Sequence, residues 1–311
     1  MNRMNILAVA NSSFFSPLMV MLDSFLMLHK DIDVTVFLAY EDLSEDEIDS
    51  IRRLADIFSD KAARKTLVPV YVGEEFKKRV PERNGFPAEV CYRILALMML
   101  PEDVDRILYL DADMIIKGRL EGLYRTELDG YQFAACEDIT GIINGFHSMN
   151  KKRLGIPTEL TYFNSGVILF NVNKMLEQGM AQKLIEGLYA NPERYEYPDQ
   201  DILNEMCCRD VLITDWEKYN CPPLLYFRKE DGVYDRSESY ATYEELRRGS
   251  QQPETFSERF RDVTLDVFNN ASVIHYLGKT KPWISKREAS RAYDIFDTAY
   301  HVFLEDLNNR L

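Results

Sequence analysis

Basic residues are in short supply in this 311-residue chain: 37 Lys and Arg stand against 51 Asp and Glu, a formal net charge of −14. Binding along a nucleic-acid backbone needs the opposite balance, because phosphates must be met by cations, so a general nucleic-acid partner is not expected. The acidity reads instead as a soluble, self-repelling surface. Cysteine is also sparse. Cys91, Cys136, Cys207, Cys208 and Cys221 are odd in number and show no CxxC spacing. That argues against a disulfide framework or a structural zinc site and for buried thiols in a reducing, cytoplasmic setting.

No uninterrupted apolar run approaches the ~18 residues of a membrane span, so no transmembrane helix is expected. The apolar stretch after Arg3 is broken by Asn11, Ser12, Ser13 and Ser16-Pro17, which suits a strand, a turn and a helix better than a signal peptide. Neither GxGxxG nor GxxxxGK[ST] occurs, which disfavours a dinucleotide-binding or P-loop enzyme. Internal repeats and low-complexity linkers are likewise missing.

What is present is ample core material, 46% hydrophobic residues including 12% aromatic. Short apolar runs alternate with helical patterns. Residues 5–10, 34–39, 67–72 and 106–110 read as strands. Between them, Ser16 before Pro17 suits a helix start, Ser44 with Glu47 forms a capping-box pattern for a helix running to about Phe58, and residues 89–100 read as helical. Further on, 131–136 and 163–171 read as strands and 173–189 as one helix. This alternation predicts an α/β fold, a mostly parallel central sheet with helices on both faces, followed by a smaller mixed region. One domain over residues 1–285 is expected, with a charged insertion at about 226–262. An amphipathic helix over 286–311 should pack on the domain through Ala292, Ile295, Phe296, Ala299, Phe303 and Leu307.

Ligands of such sheets sit beyond the carboxyl ends of the strands. The strand at 106–110 ends in Asp111-Ala112-Asp113, two hard carboxylates one residue apart, which suit Mg²⁺ or Mn²⁺ held together with a diphosphate. A lone Asp-x-Asp is a weak signal. Its weight comes from His275, which closes another apolar run at 271–274 and would bias a ligand set toward Mn²⁺. Gly278 would let backbone approach a phosphate, and Lys281 would add a cation. His29, His147 and His301 have no comparable setting and read as structural or surface residues.

Five pieces fall in order: Cys91-Tyr92-Arg93; the strand into Asp111-Ala112-Asp113; residues 162–171; Pro198-Asp199-Gln200-Asp201; and residues 275–283. Together they resemble glycosyltransferase family 8, whose members include bacterial lipopolysaccharide galactosyl- and glucosyltransferases and glycogenin. The resemblance implies a GT-A fold, a UDP-glucose or UDP-galactose donor, a saccharide or lipid-linked saccharide acceptor, and retention of anomeric configuration. Carried onto this chain, it implies that Asp111, Asp113 and His275 bind Mn²⁺, with Mg²⁺ as the alternative. Donor contacts would come from Ala8 in the first strand, Asn11, Ser13, Arg93, Ala112, Asn164, Ser165, Gly278 and Lys281. Asp199 would hold sugar hydroxyls, Gln200 would lie near the anomeric carbon, and Asp138 near sugar and acceptor. One departure is the turn at Asn11-Ser12-Ser13, where relatives often carry aspartates. Two rival readings are a divalent-metal phosphohydrolase or nucleotidyltransferase and a non-catalytic UDP-sugar binding protein. The mixed charge of the C-terminal helix would draw it only weakly to an anionic bilayer, leaving 226–262 as the candidate for peripheral membrane association at the inner face.

Overall fold

The computed structural model describes residues 3–73, 91–143, 146–222, 270–278, 281–283 and 291–311. The expected insertion at 226–262 lies outside the described residues. Nine strands occur among those described: β1 (Arg3–Ala10), β2 (Asp33–Tyr40), β3 (Lys65–Tyr71), β4 (Arg106–Leu110), β5 (Met114–Ile116), β6 (Phe133–Glu137), β7 (Phe163–Asn171), β8 (Val211–Thr214) and β9 (Val273–His275). Seven form one sheet in the order β3-β2-β1-β4-β7-β6-β8, and β5 pairs with β9 in a second, small sheet. The first four strands of the large sheet run parallel. β7 is antiparallel to both its neighbours, and β8 is parallel to β6.

The sheet is apolar on both sides because it is covered on both sides. Along β1, Ile6 and Ala8 join one core, while Leu7 between them joins the other. β4 divides in the same way, with Leu108 and Leu110 on one face and Ile107 and Tyr109 on the opposite face. The first core is covered by α1 (Phe15–Leu28) and α2 (Glu45–Ile57). The second is covered by α3 (Tyr92–Leu97), α4 (Phe146–Leu154), α5 (Val172–Glu177), α6 (Met180–Ala190) and α7 (Pro198–Cys207). A last helix, α8 (Arg291–Arg310), contacts α1.

Local signals set several boundaries. At α2 the capping box forms as expected: the Ser44 hydroxyl accepts from Glu47 N–H at 3.3 Å, and the Glu47 carboxylate accepts from Ser44 N–H at 2.8 Å. Three expectations need correction, and a fourth is described only in part. Ser16 does not cap α1. Asn11 caps a short 3₁₀ turn, Ser12–Phe14, which runs straight into the helix, and the Ser16 hydroxyl instead meets Tyr300 Oη at 3.2 Å. The single helix at 173–189 is two, because Gly179 adopts φ +60° and starts α6 in a new direction. The helix at 89–100 is observed over Tyr92–Leu97, with 89–90 outside the described residues. The C-terminal helix extends to Arg310, and residues 286–290 and the side chains of Ala292, Ile295, Phe296, Ala299 and Phe303 are outside the description. Tyr300 and Leu307 are buried, and Arg310 pairs with Asp23 of α1. Among the described residues, no helix is long and apolar enough to cross a membrane.

Candidate active site

β1 and β4 are adjacent and parallel, so the Asn11 turn and Asp111 lie at the same edge of the sheet. Asp111 is held at the end of β4 by its own N–H, which donates to Gly166 O on β7 at 2.9 Å. The chain then passes Asp113 into β5, and β5 pairs antiparallel with β9 so that Met114 stands opposite His275. Tyr276 N–H donates to Asp113 O at 2.9 Å and seals that register. Asp111, Asp113 and His275 thereby offer ligand atoms that all lie within 4.8 Å of one another.

Each carboxylate divides its oxygens between the cluster and a neighbouring donor. Asp111 Oδ1 accepts from the Tyr109 hydroxyl and lies 3.1 Å from Arg93 Nη2, while Oδ2 is turned to His275 Nε2 at 3.5 Å. Asp113 Oδ2 pairs with the Lys281 ammonium, while Oδ1 lies 3.1 Å from His275 Nε2. Burial pushes the Asp113 carboxyl up, but His275 and Lys281 outweigh it and hold the group well below the usual carboxylate range. Two oxygens and one imidazole nitrogen form a donor set suited to a divalent cation such as Mn²⁺. The space beside it depends on Gly166. A Cβ there would stand 2.3 Å from His275 Cε1 and 2.7 Å from Asp111 Oδ2. The residues present therefore fit a divalent ion.

Arg93, buried on α3, ties this cluster to the next. Its guanidinium lies 3.1 Å from Asp111, 3.2 Å from Asp199 and 4.2 Å above the Tyr109 ring, and it donates to Ser165 O at 2.6 Å. Burial opposes its charge, but Asp111 and Asp199 overcome this and keep it firmly protonated. Asp199, buried at the start of α7, is raised by burial and only partly brought down by Arg93. Its Oδ2 sits at ion-pair distance from Arg93 yet accepts no hydrogen bond, since the approach is off line.

Beyond Arg93 the polar groups are mostly neutral. Gln200 Oε1 accepts from Ser165 N–H at 3.2 Å and from Asn164 Nδ2 at 3.0 Å. Gln200 Nε2 faces Asp138 Oδ2 at 3.2 Å and the Tyr162 hydroxyl at 3.3 Å. Tyr162 donates in turn to Asp201 at 2.5 Å, and Asp201 is pinned by Arg153 at 2.9 Å and by Glu196 and Tyr197 N–H groups. Burial raises the Asp138 carboxyl despite donors from Thr140, Gly141 and Gln200.

Other nominated residues lie in varied settings. Ala112 and Ser165 are buried within the clusters they flank. Asn11 Oδ1 accepts from Phe14 N–H and the Ser13 hydroxyl, at 3.1 and 2.7 Å. Gly278 takes φ +85° after β9. Ala8 has no accessible surface and its side chain lies in the core between sheet and helix. Three contributors were not nominated. Gly166 lay unremarked inside the 162–171 stretch. Asp42, after β2, grips Ser12 through N–H and hydroxyl at 2.9 and 3.0 Å and brings a carboxylate to the turn that has none of its own. Asn220 meets His275 Nδ1 at 2.8 Å, and nothing in its local sequence marks it.

The family model for glycosyl transferase family 8 matches residues 5–287. Among curated proteins, the chain is 28% identical to a lipopolysaccharide 1,2-glucosyltransferase of Escherichia coli over 242 residues, 76% of this chain and 62% of that protein. It is 26% identical to the lipopolysaccharide 1,3-galactosyltransferase of Salmonella typhimurium over 228 residues, 71% of this chain and 57% of that protein. The chain thus spans less than two thirds of the length of these relatives. Among solved structures, the galactosyltransferase LgtC in complex with donor and acceptor sugar analogs superposes with a TM-score of 0.69 at 20% identity, covering 99% of this chain and 100% of the other. The bifunctional glycosyltransferase WbbM, in its apo form, gives 0.70 at 17% identity, covering 99% and 51%. The fold is that of the GT-A glycosyltransferases.

Proposed function

The chain belongs to glycosyl transferase family 8, and from that premise we propose that it moves a glucose or galactose from a UDP-sugar to an acceptor, with Mn²⁺ as its cation. The observation that carries this is the Asp111, Asp113 and His275 cluster, packed against Gly166 and backed by Lys281. A bound divalent ion supplies Lewis acidity to the departing diphosphate. The chain's own residues do the rest. Lys281, Arg93 and the Gly278 backbone supply fixed positive potential and close approach where negative charge grows on the leaving group. Asp199 and Asn164 stand on the donor-sugar side and Asp138 toward the acceptor side, as the family resemblance implies. The Asn11 turn, with Ser13 and Asp42, holds the nucleoside end.

Gln200 is a neutral amide whose oxygen is already engaged by two donors. It is a poor nucleophile. This favours a single displacement on the face that UDP leaves: the acceptor oxygen bonds to C1, the C1–phosphate bond breaks, and a phosphate oxygen takes the proton. Anomeric configuration is retained. The relatives' names point to a lipid-linked saccharide of the lipopolysaccharide kind as acceptor, and five cysteines without a disulfide suit a cytoplasmic location.

UDP release from a panel of UDP-sugars, with Mn²⁺ and with excess chelator, tests the reading on wild type and Asp113→Ala. Slow hydrolysis of UDP-glucose or UDP-galactose is expected, lost on chelation and reduced about 100-fold or more by the substitution. Release of phosphate or nucleotide without sugar would favour a phosphohydrolase or nucleotidyltransferase instead. Absence of any Mn²⁺-dependent binding or turnover would sink both.

A further inference from the structure

We propose that Asn220 is a positioning residue for His275, holding the imidazole so that Nε2 is the nitrogen presented to a divalent cation. The inference rests on the metal reading above, and it is anchored on two backbone groups whose chemistry is unambiguous. Gly166 N–H can only donate, and it lies 2.9 Å from one terminal atom of the Asn164 side chain, which is therefore the oxygen. Ser165 N–H fixes Gln200 Oε1 in the same way at 3.2 Å, and Asn164 Nδ2 donates to that oxygen at 3.0 Å. The orientation of the Asn164 amide is thus determined twice over.

The Asn220 atom that meets Asn164 Oδ1, at 2.9 Å, must be a donor, so it is Nδ2. The other terminal atom, Oδ1, then faces His275 Nδ1 at 2.8 Å. An amide oxygen only accepts, so Nδ1 carries a hydrogen and Nε2 is the ring nitrogen left for a cation. Nε2 is the atom that faces Asp113 at 3.1 Å and Asp111 at 3.5 Å. Asn220, Asn164 and His275 are all buried, so bulk water cannot substitute for any link. Backbone pairing holds the arrangement in register. Asn220 N–H donates to Trp216 O at 2.9 Å, Cys221 N–H to Val273 O at 3.1 Å, and His275 N–H to Cys221 O at 3.0 Å.

The test uses Mn²⁺ alone on the full chain, with binding followed by the resonance of free Mn²⁺ and the ligating nitrogen by spin-echo modulation. Wild type should bind with a nitrogen coupling from His275. Asn220→Ala should weaken binding about 10- to 100-fold and lose or alter that coupling. Asn220→Asp keeps an oxygen acceptor for Nδ1–H but loses the donor to Asn164 Oδ1, so its affinity should fall between those of wild type and the alanine variant, with the nitrogen coupling intact. Unchanged affinity and coupling in the alanine variant, or equal losses in both variants, would overturn the assignment. Should the alanine variant fail to fold, the His275 ring of the wild-type chain with Mg²⁺ decides, read by its ¹⁵N resonances: a hydrogen on Nδ1 and none on Nε2 upholds the role, and the reverse overturns it. Wild type that binds no Mn²⁺, or binds it without nitrogen coupling, overturns the metal reading and this inference together, which separates that failure from the failure of Asn220 alone.

Discussion

Two histidines of this protein are almost completely buried, and their surroundings differ in one respect that decides their roles. His29, at the end of α1, lies with Nδ1 2.7 Å from Phe25 O and with Nε2 accepting Leu120 N–H at 3.0 Å. Glu121 lies 3.3 Å from the same Nε2, but the backbone hydrogen already occupies it. His275 also has Nδ1 on an amide oxygen, from Asn220, but its Nε2 meets two carboxylates and, among the described residues, no backbone donor. A buried imidazole with both nitrogens satisfied by backbone serves to hold a core together. One whose second nitrogen converges with carboxylates is placed as a cation ligand would be, the role proposed above for His275. Burial and residue type do not distinguish the two. The partner of the second nitrogen does.

The largest expected effect falls on the His275 side alone. Gly166→Ala drives a Cβ into the His275 ring and the Asp111 carboxylate. Mn²⁺ affinity and UDP release should each fall about 100-fold or more, while the added strain costs about 1–3 kcal/mol of stability. Metal titration and thermal unfolding on one preparation would check both, and wild-type Mn²⁺ affinity in this variant would break the comparison.

The mirror experiment is His29→Gln. Loss of the paired acceptor and donor at a buried site should cost about 1–3 kcal/mol, with UDP release unchanged within about twofold. Its pH dependence sharpens the contrast. Burial lowers the His29 ring below its ordinary 6.5. As pH falls, the unfolded chain therefore takes up this proton before the folded one does. The stability contributed by the neutral ring is present above about pH 6.5 and declines below it. Denaturant unfolding between about pH 6.5 and 5 should show stability decreasing in wild type and a shallower slope in the variant. Identical slopes would mean that His29 does not titrate with unfolding. The smallest effect is expected at Gly278→Ala, where an added Cβ meets nothing within 4 Å but φ is +85°. Thermal unfolding should show a penalty of about 1 kcal/mol from the backbone conformation alone, while the KM for the UDP-sugar rises, and an unchanged KM would remove Gly278 from the phosphate site.

Much of the site was legible because its determinants are local. An apolar strand running directly into Asp111-Ala112-Asp113 needs no tertiary information to be read, and the run ending at His275 is of the same kind. The capping box of Ser44 and Glu47 is likewise a four-residue affair. Other features were not legible. The resemblance placed Ala8 at the donor site, but that its side chain would be wholly buried depends on what packs against the sheet, which no local pattern shows. The break at Gly179 could not be told from a tolerated helical glycine, because only the observed φ separates them. Asn220 had no signal at all, lying 55 residues from the histidine it meets.

The sequence by itself determined which residue types stand at the ends of which strands, because strand, turn and cap preferences act over a few neighbours. It therefore determined that two carboxylates and a histidine would be available as ligands. Only the tertiary structure decided that they converge. Lys281 and Asp113 are 168 positions apart, and β9 reaches β5 through one antiparallel register that sets His275 opposite Met114. The direction of each amide in the buried network was also settled there. An asparagine side chain is indifferent to which way it points until a backbone N–H, fixed by the sheet, leaves it one choice.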